Sequence, residues 1–168
     1  MMMKLQFLLF LILYSLFFSS CKFNPNLQGK GLYYMQGIWQ EDHVAYQDEL
    51  LQYTKHRFTF TCDSFYVMMN TTAKVNKYTD SCFNNGNWTE YAKGTYMTKD
   101  DTLILKGTFT KANFKQKISG CYTIGEYKPI FIIRKHTADS LVLENFQQHT
   151  GITLRLNQKI TCVPKPIR

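Results

Sequence analysis

This 168-residue chain lacks most of the short motifs that announce chemistry. Its four histidines, His43, His56, His136 and His149, form neither an H-x-x-x-H nor an H-E-x-x-H spacing. No zinc protease signature is therefore present. No cysteine pair has the C-x-x-C spacing that structural zinc favours. There is no G-x-S-x-G elbow and no glycine loop able to cradle a phosphate. Repeats of solenoid length are absent too. The residues thus call for no metal, no cofactor and no catalytic constellation. Long apolar runs are also missing. The longest, Leu5 to Phe18, has 14 residues, against the roughly 20 that a membrane-spanning helix needs. No basic cluster follows it as a stop-transfer signal.

What stands at the start is an export signal. Lys4 precedes that apolar run, which closes on Ser19-Ser20-Cys21, giving a charged n-region, an apolar h-region and a small-residue cleavage site. Ser19-Ser20-Cys21 resembles the lipobox of bacterial lipoproteins, although Phe18 stands where leucine is usual. The resemblance implies that residues 1–20 are removed and that Cys21 is acylated. One acyl chain binds membranes only marginally and two or more hold, so the several chains of that family imply a stable membrane anchor. The expected location is the envelope of a Gram-negative bacterium, as an outer-membrane or periplasm-facing lipoprotein. Plain secretion is the alternative.

Cysteine counting fits the same compartment. Five cysteines leave one over, and assigning Cys21 to lipid leaves Cys62, Cys82, Cys121 and Cys162 as an even set. Four cysteines allow three connectivities. The expectation here is Cys62 with Cys82 across a turn-rich segment, and Cys121 with Cys162 pinning the tail.

Only Lys4 of the 20 basic residues lies in the leader, so the remaining 148 residues carry 19 basic against 12 acidic groups, a net charge of +7. That length suits one domain with a proper core. Lysines gather at Lys106, Lys111, Lys115 and Lys117, and again at Lys159 and Lys165. In an exported chain they read as a solvated face or a contact for lipid headgroups, not as a nucleic acid site. The sequence is silent on oligomeric state.

Residues 21–30, with Asn24-Pro25-Asn26 and Gly29, show no periodicity and read as a tether. Residues 31–168 read as one domain ending in a tail with Cys162, Pro164 and Pro166. Its dominant period is two. Leu103, Leu105, Gly107 and Phe109 alternate with polar or outward positions, as do Ile152, Leu154 and Leu156, and Phe58 and Phe60. Turn residues punctuate these runs at Cys62-Asp63-Ser64, Asn84 to Asn87, Lys99-Asp100-Asp101, Lys111-Ala112-Asn113 and Thr137 to Ser140. Gln47 to Lys55 is the one helix-like stretch. Short strands with tight connections predict an all-β domain, a closed barrel or a sandwich.

Three stretches favour the barrel. Gly37-Ile38-Trp39 resembles the glycine-x-tryptophan of the lipocalin first strand, where the tryptophan plugs the closed end. Gly94-Thr95-Tyr96 is followed by Asp101-Thr102-Leu103-Ile104-Leu105, and Phe131-Ile132-Ile133 by Ala138-Asp139-Ser140-Leu141-Val142-Leu143. In that order they resemble the small lipocalin-like lipoproteins of Gram-negative bacteria, from Gly37 to Leu156. The resemblance implies a single antiparallel up-and-down barrel of 8–10 strands, with at most one short helix and Trp39 as its plug. Asn24 to Asn26, Phe60 to Tyr66 and Glu90 to Tyr96 are closer still to a group of small exported chains sometimes labelled fumarate hydratase. The residues give that label no support: the fumarase Gly-Ser-Ser-x-Met-Pro loop is absent. Four-cysteine iron–sulfur ligation also does not suit an oxidising compartment.

Candidate site residues follow from the barrel reading. Glu90 shares a strand face with Trp88, Ala92 and Tyr96 if no bulge intervenes, which places a carboxylate in the lumen. Tyr96 and His56 are the other lumen candidates. Glu41 and His43, two apart, would share one side of a strand as an acid–base pair or as ordinary surface charges. The expected function is a membrane-anchored, non-catalytic barrel binding a small apolar or amphipathic ligand or an envelope partner. The alternatives are an enzyme using Glu90, Tyr96 and His56, and a packed barrel without ligand.

Overall fold

A computed structural model of the chain describes residues 27–166, so the expected leader, residues 1–20, and the expected acylation site, Cys21, lie outside the described residues. Within the compact unit Gln28–Lys165 the alternating sequence forms strands. They are β1 (Gly37–Glu41), β2 (Gln52–Thr61), β3 (Ser64–Ala73), β4 (Asn87–Lys99), β5 (Thr102–Thr110), β6 (Glu126–Tyr127), β7 (Ile130–His136), β8 (Ser140–Asn145) and β9 (Gly151–Lys159). β1 to β5 pair antiparallel in sequence order, β5 pairs with both β6 and β7, β7 with β8, β8 with β9, and β9 with β1. The sheet therefore closes on itself.

The short β6 belongs to the same ribbon as β7. Tyr127 faces Gly107 and Phe131 faces Leu103 in one unbroken register along β5. Between them Leu105 N–H donates to Pro129 C=O at 3.1 Å. Proline has no N–H to return, so the ladder is interrupted there without a change of direction. The result is a closed, eight-stranded, antiparallel up-and-down barrel. One short helix, α1 (Asp80–Phe83), sits in the connection after β3.

Gln47 to Lys55 does not form the expected helix. Gln52 begins β2, and the preceding stretch contains only turns. Leu50 and Leu51 are both exposed, so no apolar stripe was available to bury a helix there. Tyr53 and Thr54 instead open a strand whose later inward residues are Phe58 and Phe60.

The two ends of the barrel differ. At one end the connections are tight, at Cys62-Asp63, Asp100-Asp101 and Thr137 to Asp139. The segment before β1 crosses this end as a 3-10 turn, Tyr33–Met35, with Met35 fully buried. Trp39 lies just inside, 1% exposed, and its Nε1–H donates to Met35 C=O at 2.8 Å. Gln36 fastens the turn: it accepts from Cys62 N–H at 2.6 Å and donates to Cys62 C=O at 2.9 Å. Phe58, Phe60, Phe65, Leu103, Leu105, Leu141 and Leu154 fill the space above as a close-packed core. At the opposite end the connections are long, and the barrel is open.

Closure depends on two facing glycines. Gly94 and Gly107 are cross-strand partners at the β4–β5 seam. A Cβ on Gly94 would meet Lys106 O at 2.1 Å, and one on Gly107 would meet Lys93 O at 2.2 Å. The backbones approach too closely there for any side chain, which lets both strands bend around the core.

The disulfides join Cys62 to Cys162 and Cys82 to Cys121. This corrects the expected pairing of Cys62 with Cys82 and Cys121 with Cys162. Cys62 lies in the turn before β3, and Cys82 lies beyond that strand's far end. Ten residues of β3 separate the two ends, about 33 Å at strand rise. Bonded cysteines need Cα atoms within roughly 7 Å. One bridge therefore forms at the closed end and the other among the loops at the mouth.

Candidate functional site

The inward positions change character halfway up the barrel. On β2 they run Phe60, Phe58, His56, Thr54 from the closed end upward, and on β3 Phe65, Val67, Met69, Thr71. Bulk and apolarity fall off toward the mouth, so the upper barrel is not filled. A cavity of about 730 Å³ opens there. Met69, Phe109, Tyr127, Phe131 and Ile152 give it apolar wall, Glu41, Glu90, Glu126, Lys77 and Lys128 give it charge, and the His56 imidazole lies beside Glu41. Burial pushes the Tyr127 hydroxyl far above its ordinary pKa, so that wall stays neutral.

Glu41, His56, Met69 and Glu90 occupy one row across the first four strands. His56 faces Met69 and Met69 faces Glu90 in register, and Glu41 continues the β1–β2 pairing opposite His56. The Glu41 carboxylate is only 3% exposed, yet it is well served. Its Oε2 accepts from His56 Nδ1 at 2.8 Å and from the His56 backbone N–H at 3.0 Å. A buried carboxylate without such donors would cost several kcal/mol. A carboxylate only accepts, so the contact requires a proton on Nδ1, and it leaves Nε2 without a partner among the described residues. Phe58 stacks under the ring at 5.8 Å.

Glu90 is held differently. Thr123 N–H donates to its Oε1 at 2.9 Å, and Trp88 Nε1–H approaches Oε2 at 3.4 Å. Neither donor is a cation. Thr123 belongs to the long connection after β5, which reaches over the mouth and meets the connection after β3 through Cys82–Cys121. Tyr122 stacks on Trp88 at 5.4 Å, with Tyr78 edge-on to both. The Tyr122 hydroxyl donates to Cys82 C=O. Burial first, and then the Glu90 charge, raise the pKa of the Tyr78 and Tyr122 phenols.

The structure thus brings Glu90 and His56 to one cavity, but places Tyr96 elsewhere. Tyr96 is buried at the closed end, where its hydroxyl accepts from Leu32 N–H at 3.1 Å and Gln36 Nε2 at 3.0 Å. Burial dominates in raising its pKa. Its role is to bind the plug segment. His43 is exposed beyond the end of β1 and does not pair with Glu41. The Glu41–His56 pair was not visible in the sequence, because it depends on the register across a connection of ten residues. The apolar walls were legible only in part, through alternation at Phe109 and Ile152.

Among the described residues no group of three or more His, Cys, Asp or Glu could hold a metal ion, and no helix is long and apolar enough to cross a membrane. No protein-family model matches the chain, and no curated protein or solved structure is significantly similar to it.

Proposed function

We propose that this chain is a lipid-anchored envelope protein whose barrel binds a small amphipathic molecule. The observation that carries the reading is the cavity. Its volume of about 730 Å³ lies within the roughly 300–1,000 Å³ of small-molecule sites. Its wall combines apolar side chains with the polar Glu41, His56 and Glu90, which suits a ligand with one apolar body and one polar head. The separation of Tyr96 from His56 and Glu90 weighs against an acid–base trio.

Native mass spectrometry of the full chain, extracted from membranes in two chemically different detergents, should show one small molecule common to both preparations. Bare protein in both would overturn the binding reading.

The anchor is supported by the leader pattern and by the disulfides, which occupy the other four cysteines and leave Cys21 for acylation. Cys21→Ser should move the protein from the membrane to the soluble fraction, or stall its processing, and should abolish palmitate labelling. Label that persists in the variant would sink the anchor assignment.

A further inference from the structure

Glu41, His56 and Glu90 put two carboxylates and an imidazole on the wall of the cavity. Glu41 and Glu90 stand at the two ends of a four-strand row, with His56 bonded to Glu41. Neighbouring strands are about 4.8 Å apart, so the carboxylate-bearing positions sit roughly 14 Å apart along the sheet, with their side chains converging inward. Glu41 is more than nine-tenths buried, and its Oε1 has no hydrogen-bond partner among the described residues. Glu90 has two neutral donors and no cation. Two lysines also line the cavity, and both are exposed. Lys128 is paired with Glu126 at 2.7 Å, and Lys77 is exposed in the connection after β3. The charge on the unexposed part of the wall is thus negative, in a chain whose net charge after loss of the leader would be +7.

We infer that the ligand's head is a cationic amine, donated to the Glu41–His56 pair and to Glu90, with its apolar body against Phe109, Phe131 and Ile152. This rests on the binding reading and specifies its ligand class. A protonated amine supplies a donor to Glu41 Oε1 and the positive charge that the two neutral donors of Glu90 do not, and charge-assisted hydrogen bonds are the stronger kind. A carboxylate head would instead face two like charges in a partly desolvated site.

Three probes with one apolar body and different heads test this: 4-phenylbutylamine, 4-phenylbutan-1-ol and 4-phenylbutanoate. Each is titrated calorimetrically at neutral pH against the full chain in lipid nanodiscs, with empty nanodiscs subtracted. The amine should bind at least about tenfold tighter than the alcohol, and the carboxylate weakest of the three. Glu90→Gln should remove most of the amine's advantage over the alcohol. Glu41→Gln should do the same, provided its melt shows a folded barrel. Equal binding of amine and alcohol, or tightest binding of the carboxylate, would overturn the cationic head while leaving the binding reading intact. An amine advantage unchanged in Glu90→Gln would remove Glu90 from the site and overturn the assignment. Failure of all three probes to bind would overturn both.

Discussion

Trp39→Ala is expected to cost about 3–5 kcal/mol, a large part of the stability of a domain this size. The indole lies just above the closed end, 1% exposed, between the plug turn and the aromatic core. Its removal takes away one of the largest fully buried side chains in the domain. An aromatic side chain of this kind buries roughly 150–250 Å². Met35 C=O would also lose the Nε1–H that it accepts at 2.8 Å. A buried carbonyl left unpaired adds about 1–3 kcal/mol. Trp39 also follows a break in the β1–β9 register, between Ile38 and Trp39. Equilibrium unfolding in denaturant should show a lower midpoint with little change in slope. A Trp39→Ala variant that unfolds like the parent would mean that the closed end is not packed as described.

How much of this was legible in the sequence depended on whether a signal was local. Period-two alternation placed Leu103, Leu105, Phe58, Phe60, Ile152 and Leu154 on inward faces, where they are buried. The turns at Cys62-Asp63-Ser64, Lys99-Asp100-Asp101 and Thr137 to Ser140 fall between strands. These follow from chemistry within a few residues. The helix over Gln47 to Lys55 failed because a local acidic start and two leucines say nothing about what the leucines can be buried against. The Glu41–His56 pair was hidden because it is set by cross-strand register. The disulfide pairing was recoverable in principle. In an up-and-down barrel successive connections alternate between ends, so counting strands puts Cys62 and Cys162 at one end and Cys82 and Cys121 at the other. Proximity along the chain suggested Cys62 with Cys82, but a fully extended β3 stands between them.

Removing the Cys62–Cys162 bridge as the double serine variant should cost about 4–5 kcal/mol, since it closes a loop of about 100 residues in the unfolded chain. Removing Cys82–Cys121, with its separation of 39 residues, should cost about 4 kcal/mol by the same relation. Chain entropy alone therefore separates the bridges weakly, and their surroundings separate them more. Cys62 is buried, and its backbone N–H and C=O are both bonded to the Gln36 side chain. Gln36 in turn holds Leu32 C=O and the Tyr96 hydroxyl. Freeing the tail should therefore loosen the plug turn together with the β2–β3 connection. Cys82 and Cys121 join the two connections over the mouth, where Thr123 reaches Glu90. Freeing them should loosen the cover of the cavity and leave the core below it in place. Hydrogen exchange read by mass spectrometry distinguishes the two variants. In Cys62→Ser/Cys162→Ser, protection should fall at residues 31–36 and 60–65; in Cys82→Ser/Cys121→Ser it should fall at residues 74–86 and 112–125. Equal loss across the whole barrel in both variants would mean that the bridges act only on the unfolded chain, and that neither end has a local stability of its own.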